Sequence, residues 1–405
     1  MIIRTILLLI SLFLTFFVAP ALEVGDLFTV GDLKYKYIGN GECAVGYNDI
    51  APNPLIIPST ITYEGETLTI TRINSRAFEF ASNKQFTGDL VIPPTVKAIE
   101  QYAFMGCKFS GKLILPEGLK VIENNAFRST VFSGHLTIPN SLISIGYNAF
   151  SFSKGFTGLT LGNSLLDIGG GAFLSCGSLK GDLIIPESVT SIGEEAFKEC
   201  TGFTGLTLGN SVDTIYDGAF YGCNNFRGEL ILPESLKRMG KRVFQNCSGF
   251  TGHLRIPDSV TFFDSYTFRN CSGFTGVTLS NSLVLIPGNA FCDCTGLTGE
   301  LKIPKTVDRI YGGAFYNCSG LTGHLHLPAT KIMGGNIFQN CSGFTSVTFE
   351  NGLDSIAHHS FYGCTGLTGE LKFPETVSFI GEGAFANCTG LSGELKIPDL
   401  VTSLE

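Results

Sequence analysis

The sequence predicts a solenoid, an elongated fold in which short repeated coils stack on one another. A residue pair, most often Ala-Phe, recurs from Phe78 to Phe385, and after a first gap of 26 residues every gap is 23 or 24. The chain also contains 50 glycines and only 15% charged residues, a composition that suits tight coils. A period of 20 to 29 residues with leucine-type positions at fixed offsets is typical of leucine-rich repeats. We therefore predict a leucine-rich-repeat solenoid of about 14 coils, of the α/β repeat class but mostly strand and turn.

One phenylalanine marks each predicted coil, and we call these fourteen residues the marker phenylalanines. They are Phe78, Phe104, Phe127, Phe150, Phe173, Phe197, Phe220, Phe244, Phe268, Phe291, Phe315, Phe338, Phe361 and Phe385. No linker interrupts the repeat, so we predict one elongated domain rather than two or three globular ones.

Residues 1–21 are predicted to be a secretory signal peptide. Arg4 precedes an apolar run from Ile6 to Val18, and Ala19-Pro20-Ala21 has the form of a cleavage site. The alternative is a transmembrane anchor, but that needs roughly 20 apolar residues and this run is shorter. No other long apolar run follows, so we expect no membrane span after removal of the leader.

Residues 22–76 do not carry the repeat and are predicted to form a β-rich N-terminal cap. The segments Leu33–Ile38 and Ile61–Ile73 are rich in β-branched and aromatic residues, and Glu64-Gly65-Glu66 offers a hairpin turn. A solenoid needs such a lid because its first coil would otherwise expose an apolar end and unpaired strand edges.

Residues 77–405 are the predicted repeats, and each coil has two sides. One side is a short strand such as Leu301–Ile303, ended by Pro304, which cannot donate to a strand ladder. The other side runs through a turn such as Gly312-Gly313 to the marker phenylalanine. The last coil opens at Leu395 and has no Ala-Phe pair, so we interpret it as incomplete, either frayed or truncated.

The repeat motif resembles that of a known family. Leu183–Cys200, LIIPESVTSIGEEAFKEC, is similar to the BspA-like, Treponema-type leucine-rich repeats of surface proteins from bacteria and mucosal protozoan parasites. The start of the chain, Gly25–Val30 with Ile57-Pro58 and Tyr63–Gly65, also resembles that family, so the likeness covers roughly residues 25–405. The resemblance implies a secreted or surface-attached binding protein, in some members an adhesin for host matrix proteins or other cells. It carries over no catalytic residues.

Eleven of the thirteen cysteines lie three positions after a marker phenylalanine. They are Cys107, Cys176, Cys200, Cys223, Cys247, Cys271, Cys294, Cys318, Cys341, Cys364 and Cys388. A secreted chain with many cysteines usually forms disulfides, but equivalent residues of stacked coils point the same way and their Cβ vectors do not converge. We therefore predict a column of buried free thiols, with Cys43 and Cys292 outside it. Thr130 and Ser153 occupy the same position in other coils.

The remaining chemistry-bearing residues give no recurrent site. The net charge of −8 argues against a general nucleic-acid binder, which would be basic. A zinc site needs three or four converging ligands, whereas His253 and His324 are equivalent positions three coils apart. A β-helix polysaccharide lyase or hydrolase would cluster carboxylates, yet Asp89 and Asp182 lie four coils apart. We therefore predict no enzyme activity, no metal and no cofactor.

Five asparagines begin the sequence Asn-Cys-Ser/Thr, which is formally an N-glycosylation acceptor. They are Asn246, Asn270, Asn317, Asn340 and Asn387. Because each adjoins a cysteine predicted to be buried, we expect most of them to carry no glycan.

The most informative positions are those flanked by two inward-facing leucine-type residues in the first strand of each coil, which we call the outward row. The row is Val91, Ile114, Thr137, Thr160, Ile184, Thr207, Ile231, Arg255, Thr278, Lys302, His326, Thr348, Lys372 and Lys396. Through Ile231 it is β-branched and uncharged, and from Arg255 basic residues alternate with threonine until Lys372 and Lys396. Glu300, Glu370 and Glu394, two positions before their lysines, are expected to neutralise them in part.

Two interpretations of this row are open. It could reflect ordinary strand propensity with solvated charges, or it could be a two-part concave surface that holds an extended protein. The candidate binding residues are Val91, Ile114, Ile184, Ile231, Arg255, Lys302, His326, Lys372 and Lys396. We predict a secreted or cell-surface, non-enzymatic protein whose concave strand face binds a protein, such as an extracellular-matrix or surface protein. The alternatives are a structural repeat protein without a discrete ligand and, behind it, a carbohydrate-active enzyme.

Overall fold

The structure, a computed structural model, describes residues 21–80 and 86–402 and forms a β-solenoid of about fifteen turns. The predicted leucine-rich-repeat solenoid is confirmed. Within those residues each coil consists of strands and turns, without an α-helix. The described residues also contain no helix that is long and apolar enough to cross a membrane. The predicted signal peptide falls on residues 1–20, outside the described part, except for Ala21.

The first five strands pair differently from the rest. They are β1 (Leu27–Val30), β2 (Leu33–Gly39), β3 (Glu42–Val45), β4 (Thr60–Tyr63) and β5 (Glu66–Ile73). β1, β2 and β3 are antiparallel neighbours, and β4 and β5 form an antiparallel hairpin in which Tyr63 faces Glu66. The predicted turn at Glu64-Gly65 is therefore present. β3 then pairs in parallel with β5, which continues into the repeats; that this segment acts as a cap stays a prediction.

Most coils contribute a strand to each of two columns of parallel strands. The first column contains β6 (Leu90–Val91), β8 (Leu113–Ile114), β10 (Gly134–Thr137), β12 (Phe156–Thr160), β14 (Gly181–Ile184), β16 (Phe203–Thr207), β19 (Gly252–Arg255), β21 (Phe274–Thr278), β24 (Gly323–Leu327) and β26 (Phe344–Phe349). Where Leu301–Ile303 was predicted as a strand, only a bridge between Lys302 and His326 forms. The first column is therefore interrupted, and most of its strands pair two by two.

The second column is more continuous and was not predicted as strand. It contains β7 (Ala98–Ile99), β9 (Val121–Ile122), β11 (Ser144–Ile145), β13 (Asp167–Ile168), β15 (Ser191–Ile192), β17 (Thr214–Ile215), β18 (Arg238–Met239), β20 (Phe262–Phe263), β22 (Leu285–Ile286), β23 (Arg309–Ile310), β25 (Ile332–Met333), β27 (Ser355–Ile356) and β28 (Phe379–Ile380). Its strands pair in parallel and in register, so that Ile145 faces Ile122 on one side and Ile168 on the other. From β5 to β20 this column belongs to a single sheet with the N-terminal strands.

The turn around each marker phenylalanine depends on two residues in the left-handed conformation. They lie two positions before and two positions after the phenylalanine, as Gly313 (φ 68°) and Asn317 (φ 62°) do around Phe315. Glycine and asparagine adopt this conformation with little strain. The asparagine of the five Asn-Cys-Ser/Thr sequences therefore has a conformational reason to be there.

The marker phenylalanines form the centre of the core. Consecutive rings stack along the whole repeat with centroids 5.0 to 5.8 Å apart, from the Phe78–Phe104 pair to the Phe361–Phe385 pair. Aromatic pairs at this separation add to the stabilisation that burial provides. Phe78 to Phe361 have no exposed surface, whereas Phe385 in the last complete coil is partly exposed.

The predicted column of buried free thiols is confirmed, since all thirteen cysteines are free and buried. Each column thiol donates to the carbonyl oxygen of the marker phenylalanine of the preceding coil, as Cys247 Sγ does to Phe220 O at 3.1 Å. Ser153 makes the same bond, from Oγ to Phe127 O at 2.9 Å. The cysteines therefore link neighbouring coils by hydrogen bonds rather than by covalent bridges.

Candidate functional site

All fourteen residues of the outward row are exposed, and they lie in one line along the first strand column. In most coils both flanking residues are buried, as Leu183 and Ile185 are around Ile184. Register brings row members side by side: Val91 faces Ile114, and Arg255 faces Thr278. The alternation expected from strand geometry therefore places the candidate residues on one face.

The first half of this face exposes aliphatic side chains. Relative exposure is 52% for Val91, 44% for Ile114, 62% for Ile184 and 73% for Ile231. Threonines at positions such as Thr137 and Thr160 lie between them and face each other across the pair β10 and β12. Exposed apolar side chains in a row mark interaction sites more often than isolated ones do.

The second half carries charges that the protein itself largely neutralises. Lys372 pairs with Glu370 at 3.2 Å, as predicted from the sequence. Lys396, however, pairs with Glu375 of the preceding coil at 2.9 Å rather than with Glu394, and this contact raises the pKa of Lys396. The expectation for Glu394 was wrong because a lysine reaches an acidic group on the neighbouring coil as easily as one on its own strand.

Two further row members also pair with an acidic residue of a neighbouring coil. Arg255 bonds Glu234 of the preceding coil, and His326 Nε2 lies 2.9 Å from Glu350 Oε1 of the next coil. The hydrogen bond from His326 lowers the pKa of Glu350. Among the described residues Lys302 forms no ion pair, and the pairing expected with Glu300 is not present there. This half of the face is consequently a network of exposed pairs, each of which contributes little to stability.

Three histidines of this side, His135, His253 and His324, lie two positions before the row and bond to hydroxyl groups rather than to each other. His135 Nε2 is 2.8 Å from Thr160 Oγ1, and His253 Nε2 is 2.7 Å from Thr278 Oγ1. The rings of His135 and His253 lie where the next coil has a glycine: a Cβ at Gly158 would meet His135 Nδ1 at 2.3 Å, and a Cβ at Gly276 would meet His253 Nδ1 at 2.5 Å. The described residues contain no group of three or more His, Cys, Asp and Glu able to hold a metal ion.

The cysteines do not supply a nucleophile. Burial raises the pKa of Cys176, Cys223, Cys271 and Cys341 to about 12, so these thiols stay protonated at neutral pH. A reactive cysteine needs the opposite, a lowered pKa and access to solvent. The column is therefore structural.

Comparison with known families agrees with the coil geometry. A family model described as BspA type leucine rich repeat region (6 copies) matches residues 71–204, 190–322 and 331–405, well over half of the chain. The chain belongs to the BspA-type leucine-rich-repeat family. Proteins of this family are leucine-rich-repeat surface proteins, and no enzyme family is indicated for the chain.

Several solved structures are similar to this BspA-type protein. A leucine-rich repeat protein from Bacteroides ovatus has a TM-score of 0.69 at 25% identity, covering 90% of this chain and 92% of its own. The pneumococcal vaccine antigen PcpA has a TM-score of 0.52 at 22% identity over 95% of this chain and 100% of its own, which supports the fold alone. A leucine rich cell surface protein from Faecalibacterium prausnitzii is 20% identical, with a TM-score of 0.48 over 81% of this chain and 96% of its own. The comparison with curated proteins found no match.

The outward row was predicted from this BspA-type sequence, but a second surface was not. A depression of about 650 Å³ opens on the turn side of the coils, lined by Arg269, Asp293 and Tyr316 and by glycines of two neighbouring coils. The sequence signal for it is a glycine three positions before three successive marker phenylalanines, at Gly288, Gly312 and Gly335. From the sequence alone these three glycines could not be distinguished from glycines that ordinary turns require.

Proposed function

We propose that this BspA-type protein is a secreted or surface-attached, non-enzymatic binding protein whose outward row is the contact surface for a protein partner. The observation that carries the proposal is the line of exposed aliphatic side chains at Val91, Ile114, Ile184 and Ile231, whose flanking residues are buried or partly buried. These side chains could be removed from water by a partner without disturbing the core.

The charge distribution favours the apolar half as the main source of affinity. The basic residues of the second half are mostly paired within the protein, so a partner would have to replace bonds that already exist. Burying apolar area yields about 25 cal/mol per Å², whereas exposed ion pairs are worth about 0 to 1 kcal/mol. The second half would therefore contribute orientation and selectivity more than affinity.

The family supports the class of function and the surface location. BspA-like repeat proteins are surface or secreted proteins, and leucine-rich-repeat proteins generally bind protein ligands. An adhesin for extracellular-matrix or neighbouring-cell proteins is the specific form that we propose. The signal peptide predicted at residues 1–21 would deliver the chain to that location.

The test is binding of the purified chain to a panel of immobilised extracellular-matrix proteins, measured by surface plasmon resonance. The test variant carries Ile114→Ser, Ile184→Ser and Ile231→Ser. The matched control carries Ile143→Ser, Leu166→Ser and Val284→Ser, which are also exposed aliphatic residues (44%, 46% and 51%) but lie beside the second strand column.

We expect saturable binding that the control retains within about twofold and that the outward-row variant loses. Both variants should keep the circular dichroism spectrum and the urea midpoint of the parent, because exposed substitutions usually change stability by about 0.5 kcal/mol or less. Equal losses in both variants would contradict the outward row as the contact surface. Absence of saturable binding by the parent would favour a structural protein without a discrete ligand.

A further inference from the structure

A second candidate site lies away from the outward row, on the turn side of four adjacent coils. Its lining includes Arg269, Asn289, Asp293, Tyr316 and Asn336 above a floor formed by Gly312, Gly313 and Gly335. The volume of about 650 Å³ falls in the range of ligand sites, roughly 300 to 1,000 Å³. The depression is therefore large enough for one or two rings of a polar ligand.

The floor exists because three successive coils lack a side chain three positions before the marker phenylalanine. In all but one of the other coils this position holds a side chain, for example Glu194, Asp217 and Lys241, which line a more crowded depression of about 430 Å³; the exception is Gly170. None of Gly288, Gly312 and Gly335 has a positive φ, so the backbone there does not require glycine. The missing side chains open space rather than relieve strain.

The same glycines also supply no side-chain hydrogen-bond acceptor. In three other coils a side chain at this position accepts the N–H of the equivalent residue in the next coil; two of these bonds are Asn124 Oδ1 from Tyr147 N at 2.7 Å and Asp217 Oδ1 from Lys241 N at 2.9 Å. His358 Nδ1 likewise accepts from Glu382 N at 3.0 Å.

Gly288 and Gly312 are the equivalent residues one coil before Gly312 and Gly335. In the described part of the chain, the backbone N–H groups of Gly312 and Gly335 have no acceptor. Two backbone donors one coil apart are thus left for an external oxygen atom. By strand spacing they are about 4.8 Å from each other, a separation that two hydroxyl groups on one six-membered ring can span.

The walls provide acceptors as well as donors and carry no net charge. Arg269 Nε lies 3.7 Å from Asp293 Oδ2, so the one cation and the one anion of the lining face each other. The side-chain amide of Asn289 has no hydrogen-bond partner among the described residues. Asn336 donates to Gln339 and keeps its carbonyl oxygen available. Tyr316, which is partly buried, offers an aromatic ring with a polar end.

We propose that this depression binds a neutral hydroxyl-rich ligand, a sugar residue of a glycan. A hydroxyl group accepts one hydrogen bond and donates another, which suits the two backbone N–H groups together with the oxygen atoms of Asp293 and Asn336. An inorganic anion would find the donors but would also meet the carboxylate of Asp293. The ring of Tyr316 supplies the apolar contact that the face of a sugar needs.

The experiment uses the full chain and ligand-observed saturation-transfer NMR. The probes are methyl α-D-mannopyranoside, methyl β-D-galactopyranoside and methyl N-acetyl-β-D-glucosaminide, with inorganic phosphate as the anionic probe. The test variant is Gly312→Glu, which places a side chain across the floor. Gly170→Glu is the matched control: it is also three positions before a marker phenylalanine, and its Cβ would lie 3.2 Å from Glu194 O, as that of Gly312 would lie 3.1 Å from Gly335 O.

We expect at least one glycoside to bind the parent, to bind Gly170→Glu within twofold, and to lose at least tenfold in affinity in Gly312→Glu. Tyr316→Leu is a second variant that leaves the floor intact, and it should also weaken the glycoside at least fivefold. The proposal is overturned if no glycoside binds, if Gly312→Glu leaves binding unchanged, or if both glutamate variants lose it equally. Phosphate binding that Gly312→Glu abolishes, without glycoside binding, would make this an anion site and would equally overturn it.

Discussion

The column of buried thiols makes the folded state sensitive to alkaline pH. The perturbation is a rise from pH 8 to pH 10. Desolvation raises the pKa of the ten column cysteines from Cys176 to Cys388 above the ordinary value of 9.0, in Cys388 to about 11. Because the folded pKa is raised, the stabilisation is fully present below pH 9 and is lost as pH rises towards the folded pKa.

The size of the effect follows from the number of thiols. At one pH unit above the pKa of the unfolded state, a thiol is ionised in the unfolded chain but still protonated in the folded one. Each such thiol lowers the free energy of unfolding by about 1.4 kcal/mol. Ten such thiols reduce it by about 14 kcal/mol between pH 8 and pH 10, which matches the whole stability of an ordinary domain, 5 to 15 kcal/mol. We therefore expect the solenoid to unfold near pH 10 in the absence of denaturant.

A serine variant separates the thiols from the tyrosines and lysines that ionise in the same range. Cys223→Ser, Cys247→Ser and Cys271→Ser keep a donor for the preceding phenylalanine carbonyl, as Ser153 does naturally, but do not titrate. Circular dichroism at rising pH without denaturant, together with urea unfolding at pH 8 and pH 9, gives the pH dependence of stability. Between pH 8 and pH 9 the variant should lose about 1 kcal/mol less than the parent, about 0.3 kcal/mol per thiol removed, and it should unfold at a higher pH than the parent. Equal losses in the two proteins would refute the reasoning.

Two further predictions concern the aromatic core and the close approach of neighbouring coils. Urea unfolding measures the free energy of unfolding in both cases. Phe244→Ala, in the middle of the aromatic stack, should reduce the free energy of unfolding by about 3 to 5 kcal/mol, and a loss under 1 kcal/mol would contradict the stack as the centre of the core. Gly273→Ala should reduce it by about 1 to 3 kcal/mol because its Cβ would lie 2.1 Å from Phe250 O. Gly177→Ala, whose nearest contact would be 3.2 Å, is the milder control, and equal effects of the two would show that close approach is not the cause.

Much of the fold could be predicted because each repeated residue has one environment in every coil. The marker phenylalanines and the cysteines recur at constant spacing, so a single assignment of inside or outside applies to the whole column. The alternation around the outward row followed for the same reason. The second strand column could not be found in this way, since strands of two residues such as Ser144–Ile145 are too short to show a period of two.

The residues with left-handed backbone conformation could not be predicted from the sequence either, for a different reason. Glycine and asparagine indicate them in some coils, but Tyr102 and Glu195 occupy the same position with φ of 59° and 53°. Residues that rarely adopt this conformation are held there by the coils on either side, so tertiary context overrides local preference. Ion pairs such as Lys396 with Glu375 depend in the same way on side-chain reach between coils, which a linear pattern does not contain.

The two proposed surfaces differ in how they arise from the repeat. The outward row is a position that every coil exposes, so it extends along the whole repeat as an apolar half followed by a charged half and suits a partner that touches many coils. The depression is instead a local feature: three successive coils have glycine in place of a side chain, and these glycines supply no acceptor of the kind that Asn124 and Asp217 provide in two other coils. In a stack where each coil contacts mainly its neighbours, such a feature costs stability only locally. A confined site can therefore be added on the turn side while the outward row keeps its own geometry, and the Ile→Ser and Gly312→Glu variants should act independently.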